Sequence, residues 1–150
     1  MTLKSVHTLL DVLHFADSHI AVVIPEIGMR VSYDSLRQQV LSMAGALTSV
    51  GIHRGDAVAI ALPNGLPAIV SFLAASIAGT AAPLNPAYPY EEFLFFLRDT
   101  NARILLCPAV GAEFARSASA ACGCFGSGWP VCPAPMILIV RFSWVCRVSE

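Results

Sequence analysis

Between Ala57 and Tyr90 the chain carries no Asp, Glu, Lys or Arg, and a stretch of that length has to be hidden from water. About 20 consecutive apolar residues suffice for a helix to cross a bilayer. Here, however, Pro63, Asn64, Gly65, Pro67, Gly79, Pro83, Asn85 and Pro86 cut the stretch into short pieces. Their turn and cap chemistry would go unsatisfied in hydrocarbon. Strand, helix and strand inside a layered core is the reading that remains.

The pieces fit it. Ala57 to Leu62 is an unbroken apolar run ended by Pro63, the pattern of a strand covered on both faces. Asn64 is placed to cap a helix, Pro67 is tolerated in a first turn where its missing N–H costs nothing, and Ile69, Phe72, Leu73, Ser76 and Ile77 follow at helical spacing up to Gly79. A short strand from Ala81 to Leu84 leads into the turn Asn85-Pro86-Ala87-Tyr88-Pro89. The segment Glu91 to Thr100 has acids at its start and Arg98 near its end, as the helix dipole favours, with Phe93, Leu94, Phe96 and Leu97 as its apolar face. Asn101 stops it, and Arg103 to Cys107 forms a third strand. This alternation predicts a right-handed parallel β-α-β-α-β unit.

Upstream, Ser32 or Asp34 caps a helix running to Val50, along which Leu36, Val40, Met43, Ala44 and Leu47 recur at three- and four-residue steps before Gly51 ends it. Ala21 to Ile24 and Met29 to Ser32 read as short strands around Glu26-Ile27-Gly28, and Thr8 to Ala16 as a first helix. From about Cys122 the pattern breaks. CGCFGSGWPVCPAP has no periodicity and no charge, and the apolar run Met136 to Val140 is β-like and prone to aggregate if uncovered. Two regions follow from this: residues 1–120 as an α/β domain segment, and residues 121–150 as a divergent Cys-, Gly- and Pro-rich tail.

Composition narrows the function classes. The chain is 56% hydrophobic and only 13% charged, against about 25% charged in an average globular protein, so it needs unusually full burial or a partner. The net charge is −1 and the nine basic residues are dispersed, which leaves no basic track for a nucleic acid. The N-terminus has an early Asp11 and no uninterrupted apolar segment, unlike a secretory leader. Five cysteines, four of them at Cys122, Cys124, Cys132 and Cys146, do not form the even framework of a disulfide scaffold.

Three motifs carry a resemblance. Val31-Ser32-Tyr33-Asp34-Ser35-Leu36 resembles the early [ST]-Y-x-x-L motif of the acyl-CoA synthetase, adenylation-domain and luciferase superfamily. Gly51-Ile52-His53-Arg54-Gly55-Asp56-Ala57-Val58-Ala59-Ile60 is similar to its G-[IVL]-x-x-G-D-x-V-A loop and strand, and Ala82-Pro83-Leu84-Asn85-Pro86 to its P-[LIV]-[ND]-P landmark. They occur in family order over Leu9 to Ala120. The sequence around Pro83 to Tyr88, with Glu92-Phe93 and Phe96-Leu97-Arg98-Asp99, is similar to the oxalate-CoA ligase and 4-coumarate-CoA ligase-like branch.

The resemblance implies the N-terminal subdomain of the acyl-adenylate-forming fold, an α/β fold with a partial parallel sheet. It implies a reaction in which ATP and a carboxylate give an acyl-adenylate and coenzyme A then takes the acyl group as a thioester, with ATP, Mg and coenzyme A as cofactors of the full-length family. Charge developing at a polyphosphate must be offset by cations and backbone N–H groups. In the family these come from a Ser/Thr/Gly-rich loop ending in Lys, a later acidic and aromatic motif, and a far C-terminal Lys. The only lysine here is Lys4, and no such loop occurs. The chain is therefore expected to be inactive alone, with no cofactor, a product that ends early and continues into unrelated sequence. Tyr33, Leu36, Asp56, Asn85 and Pro86 are read as scaffold, giving no catalytic, cofactor-binding or metal residue.

Other constellations give way to simpler readings. On a helix the seven-residue step from His7 to His14 separates the two rings by roughly 10 Å along the axis and the five-residue step turns His19 away, and the Cys122, Cys124, Cys132 and Cys146 spacing matches no common zinc motif. Gly126-Ser127-Gly128 breaks the spacing of a nucleophile elbow, and the glycines from Gly123 to Gly128 lack a lysine and fit no phosphate loop. Glu91 and Glu92 are helix neighbours that do not face each other. The expected partners are a full-length ligase or a second copy, through exposed sheet edges. Nucleic acid and membrane are not expected, although a small membrane-associated protein is a further alternative. The parent family implies a cytoplasmic or peroxisomal location, and no C-terminal peroxisomal signal is present.

Overall fold

The structure, a computed structural model, describes residues 8–13, 18–122 and 136–139. A short helix α1 (Leu9–Leu13) precedes an antiparallel pair, β1 (Ile20–Ile24) and β2 (Met29–Ser32), joined through a 3-10 turn at Pro25–Ile27. Gly28 closes that turn at φ 64°, a left-handed conformation that glycine adopts without a Cβ penalty. Helix α2 (Tyr33–Ser49) starts at once, because the Ser32 hydroxyl accepts the Ser35 N–H at 3.2 Å and fills one of the open donors of the first turn. Of the two caps expected, Ser32 is the one used.

The main sheet is parallel. Strands β3 (Ala57–Ile60), β4 (Thr80–Pro83), β5 (Ala102–Cys107) and β6 (Met136–Ile139) lie in the order β4-β3-β5-β6. Helix α3 (Leu66–Ala78) links β3 to β4, and α4 (Tyr90–Asp99) links β4 to β5. The β-α-β-α-β unit expected from the sequence is thus present, within a residue or two at each boundary.

Strand period two divides the core. Val58, Ile60, Ile104 and Leu106 face one side, against Val40 and Leu47 of α2 and Val70, Ala74 and Ala75 of α3. Ala59, Ala61, Leu105 and Cys107 face the other, against Phe93 and Leu97 of α4 and Ala115 and Ala118 of helix α5 (Glu113–Ala121). Apolar side chains on both faces are what an unbroken run such as Ala57 to Leu62 requires. The small Ala59 and Ala61 give room for Phe93, which is 1% exposed.

Three expectations change. Gly65, not Asn64, is the N-cap of α3, with φ 150° and no side-chain cap bond, and Pro67 sits in the first turn, where a fixed φ suits the helix. Helix α5 was not expected. Its buried positions Ala115, Ala118, Ser119 and Cys122 recur at helical spacing but are small, so they give a weak hydrophobic signal. The run from Met136, expected to be β-like but within a divergent tail, pairs in parallel with β5 from Ile104↔Met136 to Cys107↔Ile139. Of the first helix expected over Thr8 to Ala16, Leu9–Leu13 is helical and residues 14–16 lie outside the described residues.

Candidate functional site

Parallel α/β sheets bind ligands outside the carboxyl ends of their strands, so the chemistry of each end is informative. The amino ends hold the GIHRGD motif. Asp56 Oδ2 accepts the His53 N–H at 2.8 Å, closing the turn before β3, and pairs with Arg103 Nη1 at 3.0 Å at the start of β5. The Asp56 carbonyl accepts the Thr80 N–H at 2.9 Å at the start of β4. One residue therefore ties three strands together. Gly79 is packed beside it so closely that a Cβ would lie 2.5 Å from the Asp56 carbonyl oxygen. This is a clamp, remote from the ligand end.

At the carboxyl ends, Asn85 makes a tight turn: its Oδ1 accepts the Ala87 N–H at 3.0 Å and its carbonyl accepts the Tyr88 N–H at 3.1 Å. Tyr88 stacks on Phe96 and meets Phe93 edge-on, anchoring the turn to α4. Beside it lies a cleft of about 440 Å³. The end of β3 contributes Ile60, Leu62 and Asn64, helix α3 contributes Ile69, Phe72 and Leu73, and the segment after β4 contributes Leu84, Asn85 and Pro86. Size and concavity suit a binding site. Its lining, however, contains no charged residue, and the two asparagines are its polar groups.

The chain switches direction at β3, since β4 lies on one side of it and β5 on the other, and that switch point is where a ligand is expected. Arg116 stands near it. Its guanidinium donates to the Pro108 and Ala109 carbonyls at 3.3 and 2.9 Å and to Glu113 at 3.2 Å, so it holds the loop between β5 and α5. Cys107 ends β5 fully buried. Burial pushes its thiol above the ordinary value, only partly opposed by the positive charge of Arg116. A protonated, inaccessible thiol is a core residue and a poor nucleophile.

Among the described residues the cleft lining holds no cation, and the nearby Arg116 is engaged by the β5–α5 loop, so ATP and Mg do not fit the cleft as lined. Tyr33 and Leu36 hold the junction of β2 with α2, Tyr33 N–H donating to the His19 carbonyl at 3.0 Å and Leu36 buried. Among the described residues no group of three His, Cys, Asp or Glu gathers around a common point, and no helix is long and apolar enough to cross a membrane. His7, His14, Cys124, Cys132, Cys146 and the glycine cluster around Ser127 lie outside the described residues.

An open parallel sheet with helices on both faces and its motif glycines and acid on the amino edge defines a class, the N-terminal subdomain of adenylate-forming enzymes. The solved structures agree. The fold matches the N-terminal domain of FACL13 from Mycobacterium tuberculosis with a TM-score of 0.63 at 26% identity, covering 68% of this chain and 26% of that one. It matches apo MatB from Rhodopseudomonas palustris with a TM-score of 0.61 at 28% identity, covering 68% and 21%.

The chain belongs to the AMP-binding enzyme family, whose profile matches residues 13–128. It is 38% identical over 106 residues to a probable CoA ligase, CCL9, of Humulus lupulus, covering 70% of this chain and 20% of the relative. It is 35% identical over 119 residues to an oxalate–CoA ligase of Saccharomyces cerevisiae, covering 71% and 22%. The chain thus spans about a fifth of the length of these curated relatives.

Proposed function

We propose that this chain supplies the opening α/β segment of an AMP-forming acid–CoA ligase and forms no acyl-adenylate by itself. The observation that carries the proposal is the contrast between the two ends of the sheet. Asp56 of the GIHRGD motif acts as a structural clamp at the amino ends, whereas the carboxyl-end cleft has no cation in its lining. Lys4 is the only lysine in the chain. Attack of a carboxylate on a phosphate needs preorganised positive charge where negative charge develops, and loss of one such donor commonly costs about 100-fold or more in rate. Similarity to oxalate–CoA ligases favours a small dicarboxylic acid as the substrate of the whole enzyme.

The test is ATP–pyrophosphate exchange by the purified chain over a panel of carboxylic acids that includes oxalate and coumarate, with folding checked by far-UV circular dichroism. Background-level exchange by a folded chain is the expected result. Acid-dependent exchange above background would show that residues other than the family lysine and phosphate loop suffice.

A further inference from the structure

Strand β6 (Met136–Ile139) lies beyond residue 128, where the family match ends, yet it is part of the parallel sheet. Four consecutive pairs, from Ile104↔Met136 to Cys107↔Ile139, join it to β5. Its outer side meets no other strand among the described residues, and residues 122–135 separate it from α5. It is an outermost element of the sheet, attached through one short ladder.

Strand β5 is anchored on three further sides. It pairs with β3 along its other edge, and Ile104, Leu105, Leu106 and Cys107 are each at most 3% exposed. Ile104 and Leu106 sit in the core shared with α2 and α3, and Leu105 and Cys107 in the core shared with α4 and α5. When β6 leaves, β5 therefore stays in place and bares a row of unpaired backbone groups. Elements with few anchors open locally at a lower free energy than the strands of a core.

The two edges of the sheet differ in what they offer. The strand bared by β6 is Ile104-Leu105-Leu106-Cys107, without charge, proline or glycine, a composition that pairs readily with another strand. The opposite edge, β4, is Thr80-Ala81-Ala82-Pro83. Alanine is a weak strand former and Pro83 has no N–H to give, so that edge is blunted. A second copy of the chain carries the same β5. Set about a two-fold axis, the two strands run antiparallel, which keeps the two Arg103 side chains at opposite ends of the pair.

We propose that β6 is a detachable cap on the β5 edge, and that its release lets two copies of the chain pair through β5. Closed, the cap satisfies the outward backbone groups of β5 and keeps the chain monomeric. Open, it leaves those groups to the same strand of the second copy. The inference is independent of the ligase reading, and its test needs no substrate.

Amide hydrogen exchange on the full 150-residue chain, under reducing conditions, reads the opening. Successive amides of β5 point alternately to β3 and to β6. Those facing β6, together with the amides of β6 itself, should exchange faster than those facing β3 by about tenfold or more. Pairing is read with Ile137→Pro combined with Leu138→Pro, two neighbours whose N–H groups point to opposite sides of β6, so that its ladder with β5 is broken. By analytical ultracentrifugation the parent chain should be a monomer and the double variant a dimer that keeps its far-UV circular dichroism. The outward β5 amides of the variant should regain protection as its concentration rises. Adding Phe72→Asp, in the cleft at the carboxyl ends of β3 and β4, should leave that dimer intact. The proposal is overturned if the two sets of β5 amides exchange together, or if the parent is itself a dimer. It is equally overturned if the double variant unfolds, stays a folded monomer or grows without limit past the dimer, or if Phe72→Asp splits the dimer.

Discussion

Gly79 and Gly45 should respond to the same substitution with opposite signs. At Gly79 an added Cβ would sit 2.5 Å from the Asp56 carbonyl oxygen, 3.1 Å from Ile52 Cγ2 and 3.2 Å from the His53 carbonyl oxygen. Two of the three obstacles are backbone atoms and cannot rotate away. The Asp56 carbonyl is also held by the Thr80 N–H at 2.9 Å, so moving it weakens the junction of β3 and β4. Overpacking of this kind costs about 1–3 kcal/mol, and a damaged hydrogen bond adds roughly 1 kcal/mol. Gly79→Ala should therefore destabilise the chain by about 2–4 kcal/mol. At Gly45, exposed within α2, an added Cβ meets nothing within 4 Å, and Gly→Ala in a helix interior gains about 0.5–1 kcal/mol. Urea unfolding followed by circular dichroism reads both. With a slope of about 1–3 kcal/mol per molar urea, the midpoint of Gly79→Ala should fall by on the order of 1 M or more while that of Gly45→Ala rises. A Gly79→Ala midpoint equal to the parent's would refute the clamp as described.

Three other outcomes follow from the same contacts. Asp56→Ala removes the Arg103 ion pair and the His53 turn bond from a site where both side chains are about four-fifths buried; a cost of about 1–3 kcal/mol is expected, and a double-mutant cycle with Arg103→Ala should return a coupling above about 0.5 kcal/mol. Ser71 is fully buried in α3 and its hydroxyl finds no hydrogen-bond partner among the described residues, so Ser71→Ala should leave stability unchanged or raise it by up to roughly 1 kcal/mol, and a clear loss would reveal a partner. Cys107 gives a pH dependence. Its folded thiol titrates above the ordinary value because it is buried, so between the unfolded and folded values the folded chain holds more protons and stability falls as pH rises. Below the unfolded value the two states hold the proton equally and the effect vanishes. Urea stability measured from neutral to alkaline pH should fall more steeply for the parent chain than for Cys107→Ala, and parallel curves would sink the assignment.

Local chemistry decided what could be read without coordinates. The strands from Ala57 and Arg103, the helices over Leu36–Leu47 and Ile69–Ile77, and the turns at Gly51, Asn85 and Asn101 are all written in runs, periods and turn residues that act within a few positions. The three motifs around Tyr33, Asp56 and Asn85 carried the resemblance because each is local as well. Which residue caps α3 was not legible, since Asn64 and Gly65 both suit a cap and the choice falls to the path of the chain leaving β3. Helix α5 was missed because alanines and a serine bury too little surface to mark a face.

The sequence by itself determined a parallel α/β unit with apolar strands covered on both sides, because a charge-free run broken by prolines and glycines has few other ways to fold, and its motifs carried the resemblance to the adenylate-forming superfamily. Only the tertiary structure decided that Asp56 reaches Arg103 across 47 positions, that Met136–Ile139 joins the sheet beside β5, and that an apolar cleft opens between α3 and the carboxyl ends of β3 and β4. Each depends on strand order, and strand order is set by how helices from distant parts of the chain divide the two faces of the sheet, a property no short window of sequence contains.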